Sequence, residues 1–201
     1  MARIKMLTKQ EFDPELRQLI DVDNKAPLEV GNVRIYAHCP ELAKAFVRFM
    51  GVVRKPALLP RRLIELVRLR VAYHNQCRSC MAIRYNDGVR NGVTEEVVCQ
   101  LETPDEARDL TPAERAALRF ADLLGTNHYA ITDETIEDLK KYFSEAEIVE
   151  LGMNIAIFIG FGRLSMAWDM VDELPERFKV RGDKPITPWG GDAIVVGKSR
   201  S

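Results

Sequence analysis

The sequence predicts an all-α protein with an irregular C-terminal tail. Apolar residues recur at helical spacing along the chain up to about residue 170. Two capping boxes, in which a hydroxyl residue precedes a glutamate by three positions, mark helix starts at Thr111 and Ser144. Prolines and glycines in the last 25 or so residues exclude a long helix there. We therefore divide the chain into a helical domain at residues 1–175 and an irregular extension at residues 176–201.

Three helices are predicted before Cys77. Asp13 is a suitable N-cap for a short helix that begins at Pro14, because proline is favoured at the first helical position. A second helix is predicted from Pro40 to Met50 by five apolar residues at helical spacing. The third, from Arg61 to Asn75, is apolar over much of its circumference, which predicts a central position in the fold.

The second half of the chain contains the remaining predicted elements. Five helices begin at or just after Cys77, Thr94, Thr111, Thr132 and Ser144. The first of them is predicted to continue to Arg90, where Asn91 and Gly92 end it, and the last to about Met170. Ala193–Val196 favours a short strand within the tail. The tail is expected either to lie over the domain or to clasp a neighbouring subunit.

Composition and charge indicate a soluble protein without nucleic-acid or membrane partners. The 29 basic and 30 acidic residues give a net charge of −1, so there is no basic excess to attract nucleic acid. No apolar core of a signal peptide follows the N-terminus, and the run Ile155–Phe161 is too short to span a bilayer. No phosphate-binding loop or dinucleotide fingerprint is present. A cytoplasmic location without a bound nucleotide or flavin is the expectation.

Cysteine usage points to redox chemistry. Cys77 and Cys80 lie at i and i+3, which on a helix places their Cα atoms about 5–6 Å apart, within reach of a disulfide. In a reducing compartment such a pair more often binds metal or exchanges electrons than staples a fold. A structural zinc site needs a second ligand pair, which the sequence does not offer, so no metal is expected. Cys39 and Cys99 are interpreted as buried or incidental thiols.

Neighbouring residues are expected to favour the thiolate form of the two cysteines. The predicted helix places both sulfurs in its first turn, at the positive end of the helix dipole. Arg84 follows Cys80 by four residues and would then share its helical face. Glu65 lies on the preceding helix and would reach the same face if the two helices pack antiparallel. As a carboxylate within an apolar helix, Glu65 needs a partner.

The pattern Glu65-x11-Cys77-x2-Cys80, within ELVRLRVAYHNQCRSC, resembles the alkylhydroperoxidase D and carboxymuconolactone decarboxylase superfamily. The similarity is clear from Arg61 to Gly92 and looser to Met170. It implies an AhpD-like helical bundle that assembles as a dimer, trimer or hexamer. It also implies a thiol peroxidase cycle without a bound cofactor, in which Cys80 attacks a hydroperoxide and Cys77 closes the disulfide. A thioredoxin-like or lipoyl-type dithiol then reduces both.

The sequence departs from the superfamily pattern at position 84, where arginine replaces the histidine that the resemblance implies. Arginine cannot relay a proton, although as a fixed cation Arg84 could stabilise a thiolate or pair with Glu65. His74 is the candidate for a substitute base. Restoring histidine at position 84 would accordingly be expected to raise turnover. Two alternatives remain: a lactone decarboxylase, which does not need the thiols, and a non-catalytic oligomeric helical module.

Overall fold

A computed structural model describes residues 2–55, 58–180, 182, 185–189 and 193–197. The described part of the chain is helical, with one small sheet and a few 3₁₀ turns. Its α-helices are α1 Pro14–Leu19, α2 Pro27–Val30, α3 Val33–Tyr36, α4 Pro40–Val53, α5 Arg61–His74, α6 Arg78–Ala82, α7 Asn86–Arg90, α8 Glu95–Cys99, α9 Pro112–Thr126, α10 Asp133–Lys140, α11 Glu145–Trp168 and α12 Glu176–Lys179. Its strands are β1 Ile83–Tyr85 and β2 Ile194–Val196. The all-α prediction is confirmed.

The caps that the sequence predicts are formed. The Asp13 side chain accepts hydrogen bonds from the first turn of α1, and Pro14 is the first residue of that helix. Thr111 and Ser144 each accept from the N–H of the glutamate three residues later, as a capping box requires. Helix α11 ends at Trp168, where Asp169 adopts a left-handed conformation with φ 58°. Helices α2 and α3 were not predicted.

Helix α5 is the centre of the fold, as its apolar sequence indicates. It packs against α9 and α11 and buries most of its side chains. The large apolar cluster around it also takes residues from α8 and α9 and from the turns between them. A second cluster joins α1 to α4 near the N-terminus, and a third joins the end of α5 and α6 to the segment after α11. The third cluster is the one that reaches the cysteine pair.

The prediction of one helix from Cys77 to Arg90 is wrong. The chain forms the five-residue helix α6, leaves the helical conformation at Ile83 and forms β1 before α7 begins at Asn86. Tertiary partners replace the hydrogen bonds of a continuous helix, because Arg68 donates to the carbonyls of Cys80 and Ile83. The strand prediction in the tail is confirmed at β2, which pairs in parallel with β1.

Helix α11 confirms the helix predicted from Ser144 to about Met170, and its apolar stretch extends beyond the run Ile155–Phe161. With 24 residues it is long and apolar enough, by length and composition alone, to cross a membrane. In the fold it packs against α5 and α9, but only 28% of its most apolar stretch is buried. The remaining apolar side chains, Val149, Met153, Leu164 and Met166 among them, are exposed to solvent. This helix therefore has one face in the core and one apolar face that the described residues do not cover.

Candidate redox site

Cys77 and Cys80 form a disulfide at the start of α6. Cys77 is the N-cap of this short helix and Cys80 its third residue, and their Cα atoms lie 5.2 Å apart. The separation agrees with the 5–6 Å expected for i and i+3. We call residues 76–85, which include both cysteines and β1, the redox segment.

The two sulfurs differ in their access to solvent. Cys77 is 0% exposed, whereas Cys80 is partly exposed and packs at the edge of the third apolar cluster. The Ser79 hydroxyl lies 3.7 Å from the Cys77 sulfur and is the polar neighbour of that atom. A reagent from solvent therefore meets Cys80 first, and Cys77 is placed to react with its partner rather than with solvent.

Glu65 pairs with Arg68 rather than with Arg84. The Glu65 side chain is 4% exposed, and both its oxygens accept hydrogen bonds of 2.7 Å from the Arg68 guanidinium, one turn along α5. Burial opposes the charge on Arg68, but the Glu65 carboxylate outweighs it and raises the pKa of that guanidinium. Arg68 also donates to the Cys80 carbonyl at 2.7 Å. The carboxylate is thus connected to the redox segment through Arg68.

The last residue of the redox segment, Tyr85, is hydrogen-bonded to Glu65. The backbone N–H of Tyr85 donates to a Glu65 oxygen at 3.0 Å, and the Tyr85 ring lies between the guanidinium groups of Arg54 and Arg68. Gly88 packs so tightly here that an added Cβ atom would lie 2.5 Å from the Glu65 Cγ. Position 88 therefore has room for glycine alone as long as the carboxylate keeps its place.

Arg84 lies away from the sulfurs, which corrects the expectation that it shares a helical face with them. It is on β1, is 1% exposed and pairs with Glu95 through two hydrogen bonds of 2.8 and 3.1 Å. It also donates to the carbonyls of Met81, Ile83 and Pro188. Burial, outweighing the Glu95 carboxylate, lowers the pKa of Arg84. Its donors are directed at the carboxylate and the carbonyls rather than at a substrate.

His74 is directed away from Glu65. The two residues are nine positions apart on α5, or about two and a half turns, and so lie on opposite sides of the helix. The His74 Nε2 atom lies 2.6 Å from an Asp122 oxygen on α9, and Arg70 donates to both Asp122 oxygens. Burial opposes this carboxylate, but its hydrogen bonds from His74 and Arg70 lower its pKa. The structure therefore places His74 in a link between helices, apart from the Glu65 pair.

Two of the features expected to stabilise a thiolate are thus absent from the redox segment as described. Helix α6 has five residues instead of the expected fourteen or so and ends before Arg84, whose charge is paired with Glu95. Arg78, between the cysteines, forms an ion pair with Asp169 at the end of α11.

Residues 2–55, 58–180, 182, 185–189 and 193–197 contain no group of three or more metal-ligand side chains.

Comparisons with known proteins agree with this fold. The model of the carboxymuconolactone decarboxylase family matches residues 40–123. The uncharacterized protein Rv2313c of Mycobacterium tuberculosis is 33% identical over 114 residues, which are 56% of this chain and 40% of that protein. The chain thus matches less than half the length of this relative.

Solved structures extend the similarity to most of the chain. An uncharacterized peroxidase-related protein of Ralstonia eutropha, described as an alkylhydroperoxidase AhpD core, superimposes with a TM-score of 0.69 at 22% identity. That match covers 92% of this chain and 98% of the other. The debrominase Bmp8 superimposes with a TM-score of 0.62 at 21% identity, over 78% of this chain and 84% of its own. At these identities the similarity establishes a shared fold.

Proposed function

Because the helical domain belongs to the alkylhydroperoxidase D-like and carboxymuconolactone decarboxylase superfamily, we propose that the protein is a thiol-dependent hydroperoxide reductase. The observation that carries the proposal is the bonded pair of Cys77 and Cys80, in which only Cys80 is partly exposed. A peroxidatic sulfur has to meet substrate, and a resolving sulfur has to meet only the first sulfur. The unequal burial of the two cysteines supports that division of roles.

The proposed cycle begins with both cysteines reduced. The Cys80 thiolate attacks the terminal oxygen of a hydroperoxide, the O–O bond breaks, and Cys80 becomes a sulfenic acid. The Cys77 thiol gives its proton to the departing alkoxide, which leaves as an alcohol. The Cys77 thiolate then attacks the Cys80 sulfur, and hydroxide leaves and takes a proton from solvent to form water. An external dithiol of thioredoxin-like or lipoyl type reduces the disulfide and is itself oxidised to a disulfide.

Glu65 and Arg68 act in this proposal by position rather than by proton transfer. Arg68 holds the carbonyls of Cys80 and Ile83, and Glu65 fixes the Arg68 guanidinium by two parallel hydrogen bonds. Arginine keeps its proton at physiological pH, so no proton passes from Glu65 to the sulfurs by way of Arg68. The His74 Nε2 atom is hydrogen-bonded to Asp122. In this proposal His74 could therefore take a proton from a cysteine only by way of water molecules.

The test of this function is peroxide consumption with cysteine variants. With dithiothreitol as reductant and cumene hydroperoxide as substrate, we expect turnover in the wild type and its loss in Cys80→Ser. Without dithiothreitol, prereduced Cys77→Ser should react once with the hydroperoxide and form a sulfenic acid on Cys80 that dimedone traps. Cys99→Ser is the matched control, because Cys99 is an exposed, unbonded cysteine elsewhere in the chain. Hydroperoxide turnover that survives in Cys80→Ser would contradict the proposal.

The alternatives predict different outcomes of the same set of variants. A decarboxylase would convert a lactone substrate equally well in the wild type and in Cys80→Ser, because that chemistry does not involve the sulfurs. A non-catalytic module would form and break the disulfide without consuming hydroperoxide. The assays therefore distinguish all three functions on one set of purified proteins.

A further inference from the structure

The C-terminal part of the chain contacts the redox segment on both sides of the disulfide. We call its described residues from Pro175 to Gly197 the C-terminal strap. The strap continues from the turn after α11, contains α12 and β2, and is bonded to positions before, between and after the two cysteines. Each of these attachments uses side chains or backbone groups that the proposed cycle leaves unexplained.

Gln76 makes the attachment before the disulfide. Its side-chain amide donates to the Ile186 carbonyl at 3.1 Å, and its side-chain carbonyl accepts from the Ile186 N–H at 2.8 Å. Gln76 has a left-handed backbone with φ 49°, a conformation that side chains other than glycine and asparagine seldom adopt. Two reciprocal hydrogen bonds to one strap residue therefore hold the position directly before Cys77.

Arg78 makes the attachment between the cysteines. Its guanidinium donates to the carbonyls of Phe178 and Lys179 at 3.3 and 3.1 Å, and it forms an ion pair with the buried Asp169 just before the strap. The residue between Cys77 and Ser79 is thereby directed into the strap and not into solvent. Charge-assisted bonds to backbone carbonyls at the end of a helix are among the stronger polar contacts in proteins.

Arg84 and β1 make the attachment after the disulfide. Arg84 donates to the Pro188 carbonyl and pairs with Val195 in the parallel ladder of β1 and β2. Arg84 is among the largest fully buried side chains of the described chain. The residue at the position of the superfamily histidine is therefore the point at which the strap is fastened to the redox segment.

Apolar contacts place the strap on the same apolar cluster as Cys80. Phe178, 0% exposed, belongs to the third apolar cluster together with Met81 and Ala82 of α6. Cys80 and Ile186 pack against that same cluster. The strap and the partly exposed Cys80 therefore share one apolar cluster beside the disulfide.

We propose that the C-terminal strap, held by Gln76 and Arg84, limits the access of reducing thiols to the Cys77–Cys80 disulfide. A reducing thiolate attacks the Cys80 sulfur, the disulfide bond breaks, and Cys77 leaves as a thiolate. A second thiol of the reductant then attacks the mixed disulfide, frees Cys80 and closes its own disulfide. The strap slows the first attack, so Gln76 and Arg84 are positioning residues. This inference rests on the proposed thiol exchange at this site.

The experiment measures the rate of disulfide reduction by dithiothreitol, without peroxide, from the fraction of alkylated Cys80 over time. We expect reduction to be about three- to tenfold faster in Gln76→Ala than in the wild type. Gln100→Ala is the control, because the Gln100 side chain also makes two reciprocal hydrogen bonds to one residue, donating to the Asp109 carboxylate and accepting from the Asp109 N–H, outside the redox segment and the strap. The control should reduce at the wild-type rate. Equal rates in Gln76→Ala and the wild type would overturn the inference.

A second variant removes the same contact by changing the strap residue instead of Gln76. Together with a stability measurement, it distinguishes release of the strap from general unfolding. Ile186→Pro removes the N–H that donates to the Gln76 side-chain carbonyl, and residue 186 lies outside α5 and α6. It should accelerate reduction as Gln76→Ala does, with the urea midpoint of the oxidised protein near that of the wild type. A rate that rises only in proportion to lost global stability would contradict selective release of the strap.

The outcome is independent of the peroxidase assay. Faster dithiothreitol reduction in both variants, in a protein that consumes no hydroperoxide, would support the strap and contradict the proposed function. Hydroperoxide turnover with unchanged reduction rates would support the function and overturn the strap.

Discussion

At the scale of single residues, position 84 shows how the role of a side chain differs between arginine and the histidine that the superfamily pattern implies. A histidine there would be a candidate for proton transfer, whereas Arg84 is buried and directs its donors at Glu95 and at three carbonyls. A buried guanidinium requires this many acceptors, because each unsatisfied donor would cost free energy. The fold supplies these acceptors around Arg84, and the strap provides one of them, the Pro188 carbonyl.

Arg84→His should destabilise the protein instead of completing a relay. The shorter imidazole cannot bridge Glu95 and the Pro188 carbonyl, so we expect a loss of about 2–4 kcal/mol in the free energy of unfolding. Turnover should fall, contrary to the expectation from the sequence. Urea denaturation of the oxidised protein measures the loss. Arg119→His, which alters a half-exposed arginine paired with Asp105 and Asp138, is the control and should change stability little.

The Asp122 carboxylate should contribute an acid-dependent part of the stability. Its pKa in the fold is lowered below its ordinary value of 3.8. A lowered carboxyl pKa stabilises the fold at pH values above the ordinary pKa, and this contribution disappears as the pH falls through the folded pKa. Asp122→Asn should therefore be less stable than the wild type at neutral pH, with a difference that shrinks below about pH 4. Urea midpoints across that range test it, and a difference independent of pH would contradict it.

At the scale of elements, the sequence predicts helices that have local signals and fails where distant residues decide. The caps at Asp13, Thr111 and Ser144 are local and are found as expected. The break at Ile83 depends on Arg68, twelve or more positions away from the carbonyls it binds, and on a strand from the far end of the chain. The Glu65–Arg68 pair itself has the i, i+3 spacing that the sequence displays.

The close approach of α5 and α11 gives a prediction for two glycines of α11. A Cβ atom on Gly162 would lie 2.5 Å from the side-chain nitrogen of Asn75, which bonds to the Phe158 carbonyl at 2.9 Å. Gly162→Ala should therefore displace Asn75 and destabilise by about 1–3 kcal/mol. Gly152→Ala, whose Cβ would make an ordinary 4.0 Å contact with Phe120, should stabilise by about 0.5–1 kcal/mol.

Thermal or urea unfolding of the two variants gives the comparison directly. Gly160 also has open space around it, but it is exposed on the apolar side of α11. An alanine there could change self-association as well as the stability of the fold, so Gly160 is not used as the control. Equal effects of the two alanines would show that helix propensity alone, and not the contact with Asn75, governs these positions.

At the scale of the whole molecule, the three apolar clusters account for the interior but leave one side of α11 uncovered. The N-terminal helices, the central bundle and the strap each bury their own side chains. Met153 and Leu164 remain 50% and 40% exposed and lie eleven residues, or about three turns, apart on one face of the helix. An exposed apolar stripe of this length is typical of a contact between subunits.

We therefore propose that the protein is a homo-oligomer that associates through this face of α11. The double variant Met153→Glu and Leu164→Glu places two like charges on the stripe, where burial against a second copy would cost several kcal/mol. Sedimentation equilibrium should find an oligomer for the wild type and a monomer with unchanged helical content for the variant. Tyr129→Glu, at a residue 88% exposed in the turn after α9, is the control and should keep the wild-type mass. A monomeric wild type, or a double variant of unchanged mass, would exclude this face as the contact between subunits.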